Sequence, residues 1–300
     1  MSRKTKNRRS GGRLSVPLKI LAVIAVTLLL LCAALLSALA VFARGIRGIA
    51  ADRFTATVAE RGGLVSRLLY PASETAGALS YRPPREAEEI SAVYRSPAGS
   101  AVAGEFAGRG WKGVAQVIPA GGAVPVLTLN SEGSDGSEAS IGLDGFSDII
   151  FSDGCVRYAG EGGESLYCVV ACDASGRLRI GGMTVAEIAN SGFEWAVSAT
   201  RVLISGGVPQ SGLGGGYASR AAVGQTADGD YVLFCAEATG FYPCGITYDE
   251  LASLMYSLGC VNAAALDPRE GMKIGGKTAV PAAGKAGRSL VFVGKEAGVD

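Results

Sequence analysis

The sequence predicts an α+β fold: a mixed β-sheet domain with a few short capped helices, preceded by one N-terminal transmembrane helix. Three observations lead to that expectation. Short apolar runs bounded by glycines and polar turns recur from Trp111 onward, two segments open with a Thr-x-x-Glu capping box, and one uninterrupted apolar stretch lies near the N-terminus.

Residues 1–19 form a basic tail, in which Arg3, Lys4, Lys6, Arg8, Arg9, Arg13 and Lys19 all precede the first acid, Asp52. Residues 20–43 follow without a charge or a proline. At about 1.5 Å per residue they reach about 36 Å, enough to cross a hydrocarbon core of about 30 Å. The basic flank is expected to stay in the cytoplasm, giving a single-pass cell-membrane protein with an extracytoplasmic C-terminal domain. Ala38-Leu-Ala40 resembles a signal-peptidase site, so a cleaved leader is the competing expectation, although the run is longer than a signal's apolar region.

Residues 44–110 read as a stalk or linker with short helices. Phe54 to Tyr70 has helical patterning weakened by Gly62-Gly63, Tyr81-Arg-Pro-Pro84 is a spacer, and Arg85 to Tyr94 reads as a short helix.

Residues 111–300 read as the domain. Gly113 to Pro119 and Val124 to Leu129 are strand-like runs separated by Gly121-Gly122, the pattern of a hairpin. Ile149 to Phe151, a turn at Asp153-Gly154, Ser165 to Asp173 and Gly176 to Ile180 continue in strands. Thr184 and Glu187 form the first capping box, and Trp195 to Ser205 is the next strand. Tyr231 to Ala236 is a short buried strand by length and flanks. The second capping box, Thr247 with Glu250, opens a helix whose Leu251, Leu254, Met255 and Leu258 make one apolar stripe, and Gly259 stops it. Val261 to Leu266 and Arg288 to Val293 complete the strands. Strand, crossover helix, strand suggests parallel neighbours in one sheet, with ligands expected beyond their carboxyl ends, where Glu237 and Asp267 fall.

Composition narrows the chemistry. A formal net charge of +1 gives no reason to expect a nucleic-acid partner. The chain has no histidine, which removes Ser-His-Asp and Cys-His nucleophiles and histidine-bound metals together. Carboxylate chemistry remains: one protonated acid and one ionised base can cleave a glycoside or phosphodiester bond. Asp267 and Glu237 are the candidate catalytic pair, with Arg220 placed to grip a phosphate. Strand-end acids also serve as turn formers, and an arginine beside a glycine run such as Gly214-Gly-Gly216 also caps carbonyls. No cofactor or metal centre is expected. Glu132, Asp135 and Glu138 could offer oxygens to Ca²⁺, but their spacing is not that of an EF-hand loop. Cysteines other than Cys32 fall in the exported body, and Cys235 with Cys244 is the first expected disulfide. Cys168 and Cys172 would stand about 13 Å apart on one extended strand, too far to bridge.

Ser219-Arg-Ala-Ala-Val-Gly224, the strand and capped helix after it, and Ala265-Leu-Asp267 together resemble the phosphodiester glycosidase domain family. Members carry Pro-Arg-Thr-Ala-[Ile/Val]-Gly at the first position and Asn-Leu-Asp-Gly-Gly-Gly-Ser at the last. The likeness runs from about residue 110 to 294. It departs at Pro268-Arg-Glu-Gly271, which replaces the glycine run, after Asn130, where Gly-Gly-Phe-Phe is missing, and at Thr200-Arg201, where members have Gly-Pro. The resemblance implies a cell-surface protein that hydrolyses or binds sugar-phosphate diesters of surface or exopolysaccharide glycans. Asp267 and Glu237 would be catalytic, and Asn130, Arg220 and Asn262 substrate-binding. A non-catalytic glycan- or protein-binding module on the same fold is the alternative, because both altered motifs border the site.

Overall fold

The computed structural model describes residues 16–45, 48–61, 70–97, 102–128, 137–143, 149–152, 154–159, 164–239, 244–266, 268–274, 277–280 and 288–294. Helix α1 (Val16–Gly45) is the apolar N-terminal element, and Pro17–Ala38 is long and apolar enough to cross a membrane. Its large apolar side chains from Leu18 to Leu36 are exposed and join no core, a character that a membrane anchor and a signal sequence share. Helices α2 (Gly48–Arg61) and α3 (Ala72–Ser80) follow.

The strands are β1 (Gly104–Gly108), β2 (Trp111–Ile118), β3 (Ala123–Thr128), β4 (Ser137–Leu143), β5 (Ile149–Ser152), β6 (Cys155–Ala159), β7 (Tyr167–Cys172) and β8 (Leu178–Met183). After α4 (Val185–Asn190) come β9 (Trp195–Ser198), β10 (Arg201–Ser205), β11 (Val208–Pro209), β12 (Arg220–Thr226) and β13 (Tyr231–Ala238). Helix α5 (Tyr248–Ser257) leads to β14 (Cys260–Leu266), β15 (Pro268–Ile274), β16 (Lys277–Val280) and β17 (Arg288–Gly294). They form three antiparallel sheets, in the orders β1-β2-β13-β12-β14-β10-β11, β16-β15-β4-β17-β3 and β6-β5-β9-β7-β8.

The seven-stranded sheet is buried on both faces, which is why its strands read as continuous apolar runs. On one face Val223, Leu233, Cys235, Ala264 and Leu266 meet Val170, Ile180, Trp195 and Val197 of the β6–β8 sheet. On the other, Ala222, Val232, Phe234, Ala263 and Ala265 meet Tyr248, Leu251, Ala252 and Met255 of α5. Helix α4 covers the far side of the β6–β8 sheet through Ile188, against Phe151, Val169 and Ala196. The layers are therefore helix, sheet, sheet, helix. Both capping boxes form: Thr184 Oγ1 accepts from Glu187 N and Thr247 Oγ1 from Glu250 N, and each glutamate accepts from its threonine N–H.

Several expectations are corrected. Strands β13 and β14 run parallel but are not neighbours, because β12 lies between them and pairs antiparallel with both. Strands β2 and β3 make no hairpin: β2 pairs with β13 and β3 with β17, so the chain changes sheet at the Pro119–Gly122 turn. The run from Trp195 to Ser205 is two strands in different sheets, broken at Ala199-Thr200. Arg85 to Tyr94 is not helical but lies on the domain as a strap. Its polar groups are committed there: the N–H of Gly182 donates to Pro84 O (2.7 Å), Ser91 N–H to Gly206 O (2.6 Å) and Tyr94 Oη to Gly259 O (2.9 Å). Gly206 and Gly207 have φ of 56° and 79°, and an added Cβ there would meet Ala87 and Tyr94 at 2.7 and 2.6 Å, so the strap fits only because these positions are bare. Cys235 packs between the sheets and Cys244 is also buried, and the disulfide expected between them is not formed.

Candidate functional site

The family-like motif residues gather at the edge of the seven-stranded sheet where β13 and β14 end and β10 and β12 begin. Arg201 and Arg220 are the first residues of β10 and β12, and both are buried, at 9% and 1% exposure. Side chains alternate along a strand. Because Ala221 and Val202 face the inter-sheet core, Arg220 and Arg201 face α5.

There both guanidinium groups meet Tyr248, in the first turn of α5. Arg220 Cζ lies 3.4 Å from the Tyr248 ring centroid and Arg201 Cζ 5.1 Å from it, while Arg201 also lies 4.4 Å from the Tyr81 ring. Arg220 donates from Nε to Ile246 O (3.0 Å) and from Nη2 to Gly215 O (3.0 Å) and Gly216 O (2.9 Å). Arg201 donates to Leu213 O (3.2 Å) and Thr200 O (2.8 Å). The two arginines thus hold the loop 212–216, whose four glycines all have positive φ. Asp249 anchors the loop's other end, accepting from Gly212 N (3.1 Å) and Leu213 N (3.0 Å).

A carboxylate that no local sequence pattern singles out completes the cluster. Glu74, on α3, is buried and accepts from Gly216 N at 2.9 Å. Burial pushes its carboxyl above the ordinary range, the Gly216 hydrogen bond opposes that, Asp249 adds to it and Arg220 opposes it. Nothing in the spacing of Ala72–Ser80 marks Glu74, since only the tertiary packing of α3 onto the glycine loop buries it.

Glu237 is not beside these groups. It lies within β13, not in the loop beyond it, and shares the inter-sheet face with Cys235, so the sheet separates it from the Arg220 guanidinium. It faces Lys112 across the β2–β13 ladder, with Nζ and Oε2 3.8 Å apart. Asn262 lies at the opposite end of β14, paired with Gln225, and its Oδ1 accepts from Gly206 N (2.9 Å). Asn130 and Asp267 lie outside the described residues, as do Glu132 and Asp135; Glu138 belongs to β4. Among the described residues no group of three or more cysteines, aspartates or glutamates is placed to hold a metal ion.

Residues 131–267, a span that takes in β4 to β14, match the family model for phosphodiester glycosidase. The matched stretch, a little under half of the chain, is similar to a phosphodiester glycosidase domain. Both Arg201 and Arg220, the glycine loop and Tyr248 fall within the phosphodiester glycosidase match, whereas Glu74 lies outside it. Among solved structures, the chain is similar to the catalytic domain of zebrafish N-acetylglucosamine-1-phosphodiester alpha-N-acetylglucosaminidase, auto-inhibited by its pro-peptide. That likeness has 15% identity, covers 72% of this chain and 87% of that one, and gives a TM-score of 0.48. A hypothetical protein from Synechocystis matches at 12% identity over 64% of this chain and 61% of that one, with a TM-score of 0.43. A putative exported protein from Burkholderia pseudomallei matches at 16% identity over 61% and 54%, with a TM-score of 0.25. No curated protein matches the chain.

Proposed function

We propose that the chain recognises a sugar-phosphate diester of surface or exopolysaccharide glycans at this sheet edge, held outside the cytoplasm by α1. The observation that supports it is the pair of buried arginines stacked on Tyr248 inside the stretch matched to the family. Two buried guanidinium groups in low-dielectric surroundings, beside a glycine loop with a backbone N–H already turned to a carboxylate, make a field suited to an anion. Glu74 marks the place such an anion would take, since its own carboxylate accepts from Gly216 N–H.

Hydrolysis needs a proton donor and a base. Glu74, with its raised pKa, is the candidate donor, and Asp267 the candidate base or charged ligand. The non-catalytic reading also draws on the geometry: Arg220 spends Nε and Nη2 on carbonyls, and Glu237 faces the other side of the sheet. The test offers the full chain, in detergent, an N-acetylglucosamine-phosphate-sugar diester. The reading expects saturable binding, roughly tenfold weaker in Arg201→Met and unchanged in Glu237→Gln. Release of free sugar that is lost in Asp267→Asn selects the enzyme, and binding without release selects the module. Absence of binding, or binding indifferent to Arg201, overturns the proposal.

A further inference from the structure

At the opposite end of the seven-stranded sheet, and on its other face, lies a cleft of about 550 Å³ between the strap, the β7–β8 turn and the β12–β13 turn. It shares no lining residue with the arginine cluster. The floor is built by Gln225 and Asn262, which face each other across the β12–β14 ladder.

Gln225 is fully used: Oε1 accepts from Leu178 N (2.9 Å), and Nε2 donates to Gly176 O (3.3 Å) and Gly229 O (3.0 Å). Asn262 is different. Its Oδ1 is fixed by the Gly206 N–H, which leaves Nδ2 as the outward atom, and among the described residues Nδ2 has no hydrogen-bond partner although the residue is 93% buried (7% exposed). That donor is open to the cleft and available to a ligand or to water, whereas among the described residues the buried side-chain donor left without a partner is Trp111 Nε1. Around the rim stand Glu89, Arg177 and Asp228, all exposed, and none makes an ion pair among the described residues.

This pattern excludes several ligand classes. Two carboxylates against one guanidinium repel phosphate and other anions, and the amide donor with Arg177 disfavours a cation. An apolar ligand would strand the amide donor without water, costing the affinity of an unmade hydrogen bond. A neutral group that both donates and accepts at many points fits: its oxygens receive from Asn262 Nδ2 and Arg177, and its hydroxyls donate to Glu89 and Asp228.

We propose that this cleft is a second binding site, for a neutral hydroxyl-rich ligand of about one or two sugar rings, with Asn262 as its floor donor. The inference does not rest on the function proposed for the arginine cluster. Saturation-transfer difference NMR on the full chain, in a zwitterionic detergent with no sugar headgroup, tests it with maltose and N-acetylglucosamine as probes and orthophosphate as the anionic comparison. Asn262→Asp keeps the acceptor for Gly206 and turns the donor into an acceptor, while Arg177→Ala removes an exposed rim donor. Saturable transfer from a probe sugar is expected in the wild type, in the millimolar range, weakened roughly tenfold by Asn262→Asp and roughly threefold by Arg177→Ala. If Asn262→Asp fails to fold, Arg177→Ala and Asp228→Ala decide. Absence of sugar binding, tighter phosphate binding, or binding lost in Arg201→Met and kept in the cleft variants overturns the proposal.

Discussion

Arg220→Met keeps the apolar stem of the side chain and deletes its guanidinium. Among the described residues that group makes three hydrogen bonds to carbonyls, at 3.0 Å to Ile246 O, 3.0 Å to Gly215 O and 2.9 Å to Gly216 O, and stacks on Tyr248 at 3.4 Å. Each charged hydrogen bond is worth about 1.5 to 3 kcal/mol, and a desolvated cation–π contact about 2 kcal/mol. The same substitution removes the cost of burying the cation, several kcal/mol, so the net loss is about 3 to 5 kcal/mol. For a domain of this size that lowers the melting temperature by roughly 6 to 20 °C. Thermal unfolding followed by circular dichroism compares wild type, Arg220→Met and Arg220→Lys, the last recovering little because an ammonium cannot reproduce the fork. A melting temperature for Arg220→Met within about 2 °C of wild type would refute the claim that this arginine holds the glycine loop.

Glu74→Gln separates charge from shape at the same site. Because burial raises the folded-state pKa of Glu74 above the usual 4.5, the native state holds that proton more tightly than the unfolded chain. Wild-type stability should therefore fall relative to the glutamine variant as pH rises from about 4 through the raised value, and the gap should then level off; a gap that stays flat from about pH 4 to 7 contradicts the burial. Orientation is read with protease on intact cells, where the body beyond α1 is expected to be digested and the basic tail spared. Protection of the body until the membrane is lysed would place it on the wrong side.

What could be foreseen from the chain was mostly local. The capping boxes at Thr184 and Thr247 each satisfy orphan N–H groups within four residues, so their helices were legible. Pairing was not: a glycine turn ends a strand without saying which partner it next meets, and β2 and β3 diverge into different sheets after such a turn. The site divided along the same line. Arg220 stands at the sheet edge where the motif suggested, yet in the carbonyl-capping posture that was its plainer alternative. Glu237 was misplaced because strand parity, which sets the face, depends on where β13 ends, and Ala238 is still within it. Glu74 and the unpaired amide of Asn262 owe their character to burial by segments far away in sequence, which no local pattern records.

The strap also imposes an order of assembly. Tyr94 reaches Gly259 across 165 residues, and Ser91 binds the Gly206 turn. Its berth therefore does not exist until β10 and β14 have joined the sheet, and contacts of such sequence separation are slow to close. Although it precedes the sheet in the chain, this segment is the last to settle. Until it does, the bare glycine furrow over Gly206 and Gly207 stays open to any other extended peptide nearby. A chain shortened to begin at Trp111 would carry that furrow permanently and would be prone to pair through it with its neighbours.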